Sequence, residues 1–198
     1  MGRIKSAWEI ALEKTADLKV DTKKINHDKI LRKGSQITGS YINNIDYTIE
    51  EFKTTFDAEE NKKTLVEGIV KIVLIGVKLP DNELFESKIE KLKDICKIVQ
   101  PESETIPVIF EQMVEFFRQY ENHQKQLIDQ MKQQFAPSLA QKEEKLRQQY
   151  GPDYKLQPEQ DKEFMQLLNE NLSKLDEHYN GSLKEVKQNI ESELLLNY

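Results

Sequence analysis

Three histidines, one cysteine and a scatter of carboxylates are the side chains here with types suited to chemistry. A metal site needs ligands that converge, yet His27, His123 and His178 are far apart in sequence. None lies three residues after a glutamate as in helical di-iron proteins, and HExxH does not occur. His123 and His178 can face one another across a hairpin, but two histidines on polar helices read first as solvated side chains. Cys96 falls on an apolar helix face with no base near it in sequence, the pattern of a packed thiol and not of a nucleophile. Gly34-Ser-Gln-Ile-Thr-Gly39 lacks the lysine and the preceding strand of a phosphate loop. Glu143-Glu144 and the acids from Glu159 to Glu163 read as solvated faces, with no pair set apart as acid and base. We therefore expect no catalytic residue, no metal and no cofactor.

The elements that would have to position such groups follow from composition. The chain has 198 residues, 37% hydrophobic and 32% charged, with 7 glycines and 6 prolines, the balance of a helix former. A net charge of −6 without a polybasic face argues against nucleic acid as a partner. A single cysteine excludes a disulfide framework and a multi-cysteine zinc module. The first thirty residues hold no apolar run of the length a secretory signal needs, so a cytoplasmic location is expected. Residues 65–79, the most apolar window, are too short to cross a bilayer and carry Glu67, Lys71 and Lys78. The opening also fits the loose N-myristoylation pattern, and two sequons begin at Asn171 and Asn180; without an export signal neither sequon carries weight.

Residues 1–100 read as a compact helical bundle. Ile4, Trp8 and Leu12 form the stripe of a short docking helix. From Thr22 to Ile42 the apolar positions follow a helix interrupted by Gly34 and Gly39; a β-hairpin turning at Asn43-Asn44 is the alternative. Thr48 and Asp57 each precede a glutamate by three residues, two capping boxes, and the second is expected to launch a central helix over 58–79 that Pro80 ends. Asp81 or Asn82 then caps a helix whose face runs from Leu84 to Val99, stopped by Pro101.

Residues 101–198 change character, with 11 cations, 18 anions and most of the glutamines. Phe110, Met113, Val114, Phe117, Tyr120, Gln124, Leu127, Met131 and Phe135 keep a helical stripe, with a kink or break expected at Pro137, before Leu139, Leu146 and Tyr150 resume it. A second long helix starts near Pro158, with a seam from Phe164 to Leu194 stepped 4, 4, 3, 4, 4, 3, 4, 4, closer to an eleven-residue repeat than to heptads. Asn180-Gly-Ser182 leaves a kink there as open as a continuous helix. Only a Gly151-Pro152 turn separates the two helices, so they run antiparallel with their wide apolar ends on the bundle. The fold class is thus all-α, a bundle base (1–100) carrying a long, coiled-coil-like antiparallel hairpin (101–198).

The string MGRIKSAWEIALEKT resembles the opening of an uncharacterised bacterial protein family, clearest over residues 1–15 and faint in the apolar helix ending at Leu79-Pro80. The resemblance implies a bacterial cytoplasmic source and an N-terminal helix that docks or binds, and it brings no activity. Tyr150, Tyr154 and Leu156, with Leu146 and Arg147, surround a tip with little core to bury them, so they are the candidate partner-binding residues; local packing that closes the turn is the plainer reading. We expect a non-enzymatic scaffold that binds a protein partner or a second copy of itself, a homodimer being one outcome. The alternatives are a membrane-surface protein using the basic N-terminal helix, weakened by Glu9, Glu13 and Asp17, and a small-ligand-binding or enzymatic bundle.

Overall fold

A computed structural model describes residues 22–44, 46–81 and 84–198. Ile4, Trp8 and Leu12, and the docking helix expected around them, lie outside the described residues. The described residues form six helices in order: α1 (Thr22–Asn43), α2 (Ile49–Asp57), α3 (Lys62–Gly76), α4 (Phe85–Val99), α5 (Thr105–Tyr150) and α6 (Lys162–Leu195), with a 3-10 turn at Pro158–Gln160 before α6. Among the described residues there is no strand, so α1 runs through Gly34 and Gly39 and the β-hairpin alternative is not adopted.

Gly34 and Gly68 place α1 on α3. A Cβ on Gly34 would sit 2.2 Å from the Leu65 carbonyl oxygen, and one on Gly68 would sit 2.1 Å from that of Leu31. The two backbones touch where both lack side chains. Ser35 Oγ donates to the Gly68 carbonyl at 3.1 Å, and His27 Nδ1 lies 3.3 Å from Thr64 Oγ1 at the same crossing. Gly34, in sequence an interruption, is thus the contact that allows the helices to approach.

Thr48 caps α2 as its spacing predicts, its Oγ1 accepting from Glu51 N while Glu51 Oε2 accepts from Thr48 N. The second expected box fails. Asp57 is still the last residue of α2, Glu59 turns to Lys33 at 2.7 Å, and the cap of α3 is Asn61, which accepts from Thr64 N. The ion pair and the competing asparagine shorten the expected 58–79 helix to 62–76. It ends before Pro80 because Val77 is already extended. Asp81 does not cap α4 either; that helix starts after Leu84 with no side-chain cap, and Asn82 lies outside the described residues.

The core is continuous from base to hairpin. Phe52, Leu65, Ile69, Leu92, Ile95 and Cys96 join Ile106, Phe110 and Phe117 from α5 and Leu183, Ile190 and Leu194 from α6 in one buried cluster. Phe85 meets Phe117 edge to face at 5.8 Å. Beyond this foot, α5 and α6 pair with each other and the 3-10 turn, around a second cluster of Met131, Phe164 and Leu168. The 46 residues of α5 extend about 69 Å at 1.5 Å per residue.

The break expected in α5 at Pro137 is absent, and at Asn180-Gly181-Ser182 α6 is continuous, one of the two forms left open there. A proline removes one backbone donor from the ladder but leaves the flanking turns, and here Met131 and Phe135 pack with Phe164 of α6 before it and Leu139 is buried after it.

Candidate interaction site at the hairpin tip

The turn at the end of α5 is built around a glycine. Gly151 has φ 107°, a conformation that side chains disfavour, and its N–H donates to the Arg147 carbonyl at 2.9 Å. Tyr154 N then donates to the Gly151 carbonyl at 3.2 Å, folding the chain back. Glu143 fastens the return: one carboxylate oxygen pairs with Arg147 at 2.5 Å and the other accepts from Leu156 N at 2.9 Å. Arg147 Nε in turn donates to the Tyr154 carbonyl at 3.1 Å.

All five tip residues singled out in the sequence come together in this unit. Leu146, Arg147, Tyr154 and Leu156 are half-buried, whereas Tyr150 is 70% exposed. The Tyr150 and Tyr154 rings stack with centroids 5.5 Å apart and planes 30° apart, presenting one aromatic ledge to solvent. Beside it lies an open cleft of about 560 Å³ lined by Leu146, Tyr154 and Leu156, with Lys142, Lys145 and Asp161 around them.

The floor of the tip was missed in the sequence. Asp161 Oδ1 caps α6 by accepting from Phe164 N at 2.9 Å, while Oδ2 pairs with Lys142 at 2.7 Å. The hydrogen bonds from Lys142 and the Phe164 amide hold the Asp161 carboxyl below its ordinary range. Lys142 also reaches Glu163 at 2.9 Å and lies 5.8 Å from the centroid of Phe135, and Lys132 pairs with Glu159 at 2.8 Å. Glu143, Glu159, Asp161 and Glu163 are therefore the links that tie the return to α5, not merely solvated faces. The available signal was Asp161 three residues before Phe164, a cap preceding an apolar seam.

Midway along the hairpin a polar aromatic belt separates the two apolar clusters. Tyr120 Oη donates to Asp176 at 2.6 Å, and burial is the main cause that pushes its phenol up. Tyr179 Oη lies 2.6 Å from His123 Nδ1, and the ring of His178 is 5.8 Å from that of Tyr179. His123 and His178 thus meet the same tyrosine without forming a ligand set. Among the described residues no group of three His, Cys, Asp or Glu side chains is placed to hold a metal. Cys96 is fully buried, and desolvation raises its thiol well above the ordinary value, which suits packing.

These features define an all-α bundle with a projecting helical hairpin. The chain belongs to a family of unknown function (DUF6657), whose model matches residues 54–192, from the end of α2 to near the end of α6. No curated protein and no solved structure matches the chain significantly. Among the described residues no helix is long and apolar enough to cross a membrane.

Proposed function

We propose that this protein is a non-enzymatic helical interaction module of the cytoplasm that engages a protein partner through the tip of its hairpin. The observation that carries this reading is the Tyr150–Tyr154 ledge, with Tyr150 70% exposed at the end of the 46-residue helix α5. A large exposed aromatic costs little when alone, but a stacked pair on a turn fixed by Glu143 and Arg147 is preorganised for contact. Tyrosine and arginine are the side chains that most often anchor protein interfaces. Bacterial origin and a coiled-coil arm belong to the same reading.

Photo-crosslinking in the source cell tests it. A crosslinker in place of Tyr150 should trap one defined protein, and the same group in place of the exposed Glu111 at the foot should not. Loss of the product in Tyr154→Ser supports the tip as the contact, whereas capture at Glu111 alone retires it. The mass of the trapped product separates a second copy of the chain from a different partner.

A further inference from the structure

Where α1 ends against the α3–α4 link, the base holds a cavity of about 330 Å³, separate from the hairpin tip. Ile42 and Leu79 line it together with Phe85, Ile89 and Phe117, and the last three are almost fully buried. That volume lies at the small end of the range for small-molecule sites, and Asn43 and Ser87 add polar groups beside the apolar wall.

Its polar side is cationic. Lys88 and Lys91 both line the cavity and stand three residues apart on α4, so two like charges share one face of a helix. Lys91 Nζ donates to the carbonyls of Tyr41 and Ile42 at 3.1 and 3.2 Å and lies 5.5 Å from the centroid of the Tyr41 ring, which holds the ammonium at the end of α1. Asp81 is the carboxylate among the described lining residues, and it is paired with Lys78 at 2.5 Å. Among the described lining residues three lysines face this one aspartate, whose charge acts on Lys88 as well as on Lys78.

We propose that this cavity binds a small amphipathic carboxylate, its head between Lys88 and Lys91 and its chain against the half-buried Ile42 and Leu79. The anion relieves the repulsion of the two ammonium groups, and the chain removes apolar wall from water. Neither a neutral nor a cationic amphiphile gains both terms.

Calorimetric titration of the full chain with sodium octanoate, octanol and octylammonium tests the assignment. Octanoate should bind one to one, and octanol and octylammonium at least tenfold more weakly. Lys88→Glu, at a half-buried position away from the Lys91 contacts to α1, should weaken octanoate at least tenfold with an unchanged melting temperature. Lys125→Glu on the hairpin should leave binding as it was. Equal binding of octanol, full retention in Lys88→Glu, or no saturable octanoate binding would each overturn the proposal.

Discussion

The foot of the hairpin and its outer arm are made from the same two helices, yet they are held in different ways. At the foot, Phe110, Phe117, Leu183 and Ile190 are packed on α3 and α4 as well as on each other. In the arm, Met131, Phe164 and Leu168 pack within the hairpin, with no residue of α1 to α4 in their cluster, and ion pairs from Lys132 and Lys142 take up the outer turns. Burial against several elements is cooperative, whereas a two-helix contact opens with less loss, so stability should fall along the hairpin from foot to tip. The region with least core is the region that carries the exposed aromatic ledge.

The sharpest way to break the comparison is at the foot. Phe117 is fully buried with its ring against Phe85 of α4, and Phe117→Ala should cost about 3–5 kcal/mol. Because the core there is continuous with the base, the loss should show as a lower global midpoint in urea with one transition. A variant that lost only the hairpin signal would mean that foot and base are separate cooperative units.

Gly68→Ala tests the base without touching the hairpin. The added Cβ meets the backbone of Leu31 and not a side chain that can turn away, so α1 and α3 must separate and we expect a loss of about 3 kcal/mol. The measurement is again the urea midpoint, with Gly39→Ala as the control, since a Cβ there meets nothing within 4 Å.

Pro137→Ala should act in the opposite direction and locally. Restoring the missing N–H and removing the ring should strengthen the outer arm by about 2 kcal/mol, within the penalty an interior proline carries. Hydrogen exchange should slow on both sides of residue 137 while the global midpoint stays fixed. Slower exchange throughout the base would show that arm and base unfold together.

How far these differences were legible in the sequence follows the same division. Every residue of the α6 seam from Phe164 to Leu194 is buried or half-buried, and along α5 only Tyr150 escapes the stripe, because helical periodicity is a local property of the chain. Contacts between distant segments leave no such mark. Gly34 read as an interruption until Gly68 was found opposite it. Glu143 and Asp161 looked like their solvated neighbours because only the Gly151 turn brings them onto Leu156 and Lys142. Asp57 was the cap read from the spacing, but Asn61 caps α3 instead, with Glu59 between them paired to Lys33.

The smallest expected effect is at Asp161, where the cap and the ion pair can be separated. Asp161→Ala removes the acceptor for Phe164 N and should weaken the first turn of α6 by about 1 kcal/mol, the usual worth of an N-cap. Asp161→Asn keeps an acceptor and loses the attraction of Lys142, so its first turn should fall between the two. Acid discriminates further. The Asp161 carboxyl titrates below its ordinary value of about 3.9, so its contribution is complete above that pH and is lost as the pH falls through the depressed folded value. Amide exchange at Phe164, corrected for the intrinsic rate, should therefore quicken in the native protein below about pH 4 and approach that of Asp161→Ala, which should itself be insensitive over that range. Protection that persists in acid would assign the first turn of α6 to the burial of Phe164 alone and make the outer arm more like the foot than its contacts imply.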